Sequence, residues 1–278
     1  MPEPLVLLSV VLVGCAYARG FRRLQARTGR RHVGRAVAFG AGLAVVLVTL
    51  SAPVEHRSLE RLWVHMVQHE ALVAGAAPLL ILGNPLPALL WALPPGPRAV
   101  VAPWWRRLSR SHARPSGWVA WAAAAFGVQT VALWGWHAPD PYQAALRSEW
   151  LHSLQHASFL ATALFFWWAV IGARRRSLYG GGVLVNFAAA LQGVALGAYM
   201  TLSGRVWYPF YAARDGGSLT PLEDQQVAGV IMWGPGGAAY LVAAIVLFMA
   251  WLGGDEPGEE SRPRRDLPAR VTAEAPAT

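Results

Sequence analysis

Apolar runs of membrane-spanning length recur seven times along this chain, at roughly 3–18, 36–52, 62–83, 117–137, 150–172, 182–203 and 226–252. A helix rises about 1.5 Å per residue, so ~20 residues cross the ~30 Å of a bilayer's hydrocarbon core. Charged residues form only 14% of the chain and are clumped between the runs, whereas a soluble domain carries about a quarter. The pattern predicts an all-α polytopic membrane protein: seven transmembrane helices in one domain over 1–253, with a disordered tail over 254–278.

Arginine orients the set. All 24 basic residues are Arg, a bias that points to genome base composition before function. Nineteen lie in the loops after runs one, three and five and in the tail; only Arg57, Arg61, Arg147, Arg205 and Arg214 lie on the other side. The positive-inside rule then places the N-terminus outside and the C-terminus in the cytoplasm. No basic patch is interleaved with aromatics in the nucleic-acid manner, so the expected surroundings are lipid and protein. Leu12 to Cys15 and Ala16 to Ala18 imitate processing sites. They lack a basic segment before them, and cleavage would strand seven Arg outside, so no processing is expected. The Pro-rich connection 84–115 suits a re-entrant or surface-lying stretch.

Within this frame one pattern occurs twice. Trp63-Val64-His65-Met66-Val67-Gln68-His69 and Trp150-Leu151-His152-Ser153-Leu154-Gln155-His156 both read Trp-x-His-x-x-Gln-His, each opening an apolar run. Histidines at i and i+4 lie one above the other on a helix face. Both runs descend from the outer side, each from an interfacial Trp, so the four imidazoles reach similar depths. His137, ending run four, adds a fifth at that boundary. A lone interfacial His is ordinarily an anchor or a packing residue, but matched pairs on parallel helices point to a bound metal or cofactor. His32 and His112, in Arg-rich loops, are expected to be solvated.

The ligand set contains no thiolate pair, since Cys15 is the single cysteine. Imidazole suits Cu, Zn, Fe and Ni, and thioether adds a preference for Cu(I). Met66, Met200 and Met232 are therefore candidate co-ligands, although Met in an apolar helix is ordinarily packing. Gln68 and Gln155 can orient rings or bridge helices. Glu70 points about 100° away from His69 around the helix and is a poor co-ligand. Thr220-Pro221-Leu222-Glu223 reads as a capping box, which leaves Asp224 as the functional candidate of that pair. Gly234-Pro235-Gly236-Gly237 should kink the last span. Below the histidines the spans hold Gln129, Asn186, Gln192 and Tyr240 but no further ionisable group, which favours a site open to one side over a transport path.

These motifs resemble the CtaG-type cytochrome c oxidase assembly factors. The likeness rests on His65 to His69 followed by Pro78 to Pro85, on His152 to His156 with Phe166-Trp167-Trp168, and on Pro221 to Gln226 running into Gly229 to Trp233. It covers roughly residues 35–252. It implies a seven-span plasma-membrane protein that helps mature a haem-copper oxidase by handling copper, and it carries over His65, His69, His152, His156, Asp224 and Met232. The expectation is a non-enzymatic assembly factor that binds copper, as Cu(I), and passes it to an oxidase subunit, loaded in turn by an extracytoplasmic copper donor. His137 with Met66 or Met200 would complete or relay that site. Two alternatives stay open: a haem clamped between the His pairs, and a metalloenzyme with Asp224 as base.

Overall fold

A computed structural model describes residues 3–29, 32–172, 176–213 and 218–253; the expected disordered tail lies outside the described residues. Every long element is a helix, and no strand occurs among the described residues. Among the described residues, six helices are long and apolar enough to cross a bilayer. A bent pair, Val33–Thr49 (α2) and Ala52–Glu60 (α3), raises the count to seven if it is one span.

The first helix, α1 (Glu3–Thr28), continues well beyond the apolar run into its Arg-rich flank. The second span ends at Thr49, where extended Ser51 and the Pro in the next first turn break the helix, and the chain turns by 52° into polar α3. Span three is α4 (Leu62–Glu70), a widened π-helical turn over Ala71–Ala76, and α5 (Ala77–Leu82). The π turn is a departure from the regular helix expected there. It leaves backbone carbonyls without the usual partner, and the indole Nε1 of Trp167 donates to one of them, Val73, at 2.8 Å.

The connection after span three consists of two helices, α6 (Pro85–Ala92) and α7 (Pro95–His112). It is pinned to span one. A Cβ at Gly20 would fall 1.7 Å from the carbonyl oxygen of Ala88, so only Gly allows this approach. Arg23 donates to the terminal carbonyls of α6, at 3.2 Å to Trp91, where a cation also suits the helix dipole. His112, expected to be solvated, is instead buried. It bonds the carbonyl of Ala169 at 3.1 Å and stacks on Trp168 at 4.3 Å. Burial holds this imidazole below its ordinary value, against the opposing pull of that hydrogen bond. An aromatic neighbour on span five, remote in sequence, is what makes the difference.

Span four is α8 (Pro115–His137), followed by the short α9 (Pro139–Arg147). Spans five and six are α10 (Glu149–Ile171) and α11 (Tyr179–Leu202). After the four-residue α12 (Pro209–Ala212), the last span comprises α13 (Pro221–Ile231), a second π turn over Met232–Gly236, and α14 (Gly237–Leu252). The capping box at Thr220 and Glu223 is formed. The Gly-Pro-Gly-Gly run is absorbed by the π turn and the helix continues. Span three lies at the centre, against α2, α10 and α13, which brings the two histidine-bearing helices together.

Candidate metal centre

The four histidines of the repeated motif meet in one pocket. Within each helix the paired rings lie with centroids 4.4 Å apart. Between helices, His65 is 4.9 Å from His152 and 5.6 Å from His156, and His69 is 5.3 Å from His156. The last residue of α8, His137, brings a fifth ring to 5.8 Å from His69. All five are buried. Ligand atoms of His65, His69 and His156 lie within 4.8 Å of one another, close enough to hold one metal ion.

Hydrogen bonds engage Nδ1 of three of the rings. His137 Nδ1 lies 2.7 Å from the carbonyl of Leu133, which can only accept. His152 Nδ1 lies 2.7 Å from Glu55 Oε1. At His65 the argument takes one more step: Tyr211 donates its hydroxyl proton to the Ser58 carbonyl at 2.9 Å, so its oxygen must accept from His65 Nδ1 at 3.0 Å. In its neutral form each of these three rings carries its proton on Nδ1 and presents a bare lone pair at Nε2. Nε2 of His65, His69, His137, His152 and His156 is in every case buried with no hydrogen bond among the described residues. An unsatisfied buried acceptor costs about 1–3 kcal/mol, and a cation among these ring nitrogens would satisfy several at once.

The surrounding residues hold the rings in place. Gln68 donates to the carbonyl of Thr49 at 2.8 Å and to Glu55 Oε2 at 3.2 Å, so it both bridges helices and anchors the carboxylate behind His152. Tyr208 donates to the backbone carbonyl of His137 at 2.7 Å. Tyr142 stacks on Tyr208 at 4.1 Å and lies 5.2 Å from His65. Burial first, and then neighbouring Tyr211 and Tyr208, hold its phenol well above the ordinary value, so it remains neutral.

Asp224 has a different task from the one expected of it. Its two carboxylate oxygens accept from the amides of Leu62 and Trp63, at 2.9 and 3.0 Å. It therefore caps the helix that carries His65, across from the last span, because those first-turn amides have no intrahelical partner. Asp224→Ala should cost about 1–2 kcal/mol, as for other lost caps, and loosen His65. Thermal unfolding in detergent is expected to shift downward for Ala and by less for Asn; an unchanged transition for Ala would remove the cap's role.

The methionines divide. Met66, Met200 and Met232 are all buried in one apolar cluster with Tyr142, Tyr208 and Tyr211. Only Met232 also lines, with His69, His137 and Glu70, a cavity of about 50 Å³ below the rings. Glu70 itself lies against Gly236 of the second π turn. Sequence reading missed Glu55, Tyr142 and the roles of Tyr208 and Tyr211. None sits in a repeated motif, and each reaches the pocket from an element folded over its end.

The fold and the pocket together define a polytopic helical membrane protein that gathers five imidazoles beneath one end of its bundle. The chain belongs to the cytochrome c oxidase caa3 assembly factor family, whose profile matches residues 15–253. It is similar to uncharacterised proteins of Mycobacterium bovis and Mycobacterium tuberculosis, each 27% identical over 264 residues. A third, from Mycobacterium leprae, is 25% identical over 276 residues. In each case the match covers 90% of this chain and 39% of the relative. The chain thus spans well under half the length of these curated relatives. No solved structure matches it significantly. The family and the helices together make it a bacterial multi-pass membrane protein.

Proposed function

We propose that the protein binds copper in the imidazole pocket and passes it to an oxidase subunit, as a metal-handling factor and not as an enzyme. The observation that carries this reading is the set of five buried Nε2 atoms without a hydrogen-bond partner among the described residues, three of them on rings whose Nδ1 is engaged by a neighbour. Imidazole with a thioether at hand is a ligand set that copper takes, and the family's client is a terminal oxidase. With the Arg-rich loops in the cytoplasm, the pocket opens to the outer side, where an extracytoplasmic donor can load it. Release proceeds by ligand exchange, with Met232 or a client side chain replacing one imidazole at a time.

Two competing readings fare worse. Imidazoles on opposite faces of a haem iron must keep their ring centres roughly 6 Å apart or more, given metal–nitrogen bonds of about 2 Å. The facing pairs stand at 4.9 and 5.3 Å, with no room for a macrocycle between them. A metalloenzyme would need a free base, and the Asp224 carboxylate is taken up by two backbone amides.

Purified wild-type protein should carry copper by elemental analysis, without a Soret band. A His65→Ala, His152→Ala double variant of unchanged helix content should carry almost none. Equal copper in both would remove the proposal.

A further inference from the structure

We infer that the pocket holds two metal ions, an inner one on His65, His69 and His156 and an outer one on Glu55, His152 and His156. This rests on the copper-handling reading and adds a second site to it. The ligand atoms of Glu55, His152 and His156 also lie within 4.8 Å of one another, so two complete triads exist side by side and share a single residue.

The outer triad is a built arrangement. Glu55 rides on α3, which the 52° bend after Thr49 swings over the top of spans three and five. Its Oε2 is taken by Gln68 at 3.2 Å, which leaves Oε1 for His152 at 2.7 Å. That spacing fits two ligands on adjacent positions of one ion as well as it fits a hydrogen bond. Its side chain is 23% exposed while that of His152 is 4% exposed, so the carboxylate connects the buried rings to solvent.

The chemistry of the two sets differs. Three imidazoles accept copper in either oxidation state, whereas a carboxylate with two imidazoles favours a divalent ion such as Cu(II) or Zn(II) over Cu(I). Loading the outer site puts the ion on His152 Nδ1 and Glu55 Oε1; the Nδ1 proton leaves to solvent and Nε2 takes one up, so His152 binds as a neutral imidazole. An imidazole has two ring nitrogens, so His156 can face one ion on each side; doing so releases its remaining ring proton as well. Each ligand must be deprotonated for binding, and no redox step is required.

The test uses full-length protein in detergent, stripped with a chelator, reloaded with excess Cu(II), freed of unbound metal and read by elemental analysis and electron paramagnetic resonance. Wild type should retain two copper ions per chain, with a signal broadened or quenched by their coupling. Glu55→Gln keeps an amide oxygen able to accept from His152 but removes the anionic ligand. It should retain one ion with an ordinary isolated Cu(II) spectrum. His69→Ala, on the inner side, should likewise retain one. A single uncoupled ion in wild type, or two ions in Glu55→Gln, overturns the two-ion pocket. No copper in wild type overturns the copper-handling reading and this one together. The wild-type count stands as the deciding measurement if either variant fails to fold.

Discussion

Tyr211→Phe is expected to lower the copper affinity of the pocket about 10- to 100-fold, the usual effect of losing a residue that orients a metal-binding His. The phenol oxygen does two things at once. It donates to the Ser58 carbonyl and accepts from His65 Nδ1, which keeps the bare lone pair of that ring on the pocket side. Phenylalanine fills nearly the same volume, so packing around α12 should survive. Without the hydroxyl, the Nδ1 proton of His65 is left in a buried place with nothing to receive it, and the ring is free to turn or to exchange tautomers. Competition against a chromogenic Cu(I) chelator measures the change, with helix content as the control. Affinity within twofold of wild type would mean that Tyr211 only fills space.

Gly229→Val is expected to abolish recovery of monodisperse folded protein. Spans six and seven meet through Gly197 and Gly229 with almost no gap. A Cβ at Gly229 would fall 2.5 Å from the Gly197 carbonyl oxygen and 2.8 Å from the Thr201 amide nitrogen. These are backbone atoms, which cannot swing aside as a side-chain tip does. In a bilayer, where hydrophobic burial does not drive helices together, close backbone approach at small residues supplies much of the association. Gly229→Ala should already cost about 1–3 kcal/mol, as overpacking does, and Val more, because it must separate the helices. The effect should reach the pocket, since α13 also carries Asp224, whose carboxylate caps the helix bearing His65. Size-exclusion chromatography in detergent checks both variants, and a wild-type elution profile for Val would show that the two spans can part without loss.

The membrane spans and the histidine pairs were legible because both are local patterns: a run of apolar residues, and two imidazoles one helical turn apart. The neighbouring Trp63 and Trp150 even marked the level at which the rings begin. What escaped depends on contacts between elements far apart in the chain. Glu55 belongs to the pocket only because the chain bends after Thr49. Asp224 looked like a ligand because it is an acid near the right surface, and only the packing of α13 on α4 shows two amides waiting for it. His112 looked solvated among arginines until Trp168 was placed against it. The methionines illustrate the same limit. Composition marked them as copper-friendly, but only Met232 also lines the cavity beneath the rings.

The widened turn over Ala71–Ala76 has a consequence for how span three tolerates change. A π turn accommodates one residue more than an α turn, and one residue is worth about 100° of rotation around the axis. The upper half of the helix, with its imidazoles, and the lower half, packed on Trp167, are therefore set at an angle that an uninterrupted α-helix of the same sequence would not produce. Rewinding that segment as regular α-helix at its present length would swing the upper half away from His156, whereas deleting one of its residues would let the helix wind regularly with both halves still facing as they do. The widened turn is thus the device that lets one extra residue sit in span three without turning its imidazoles out of the pocket.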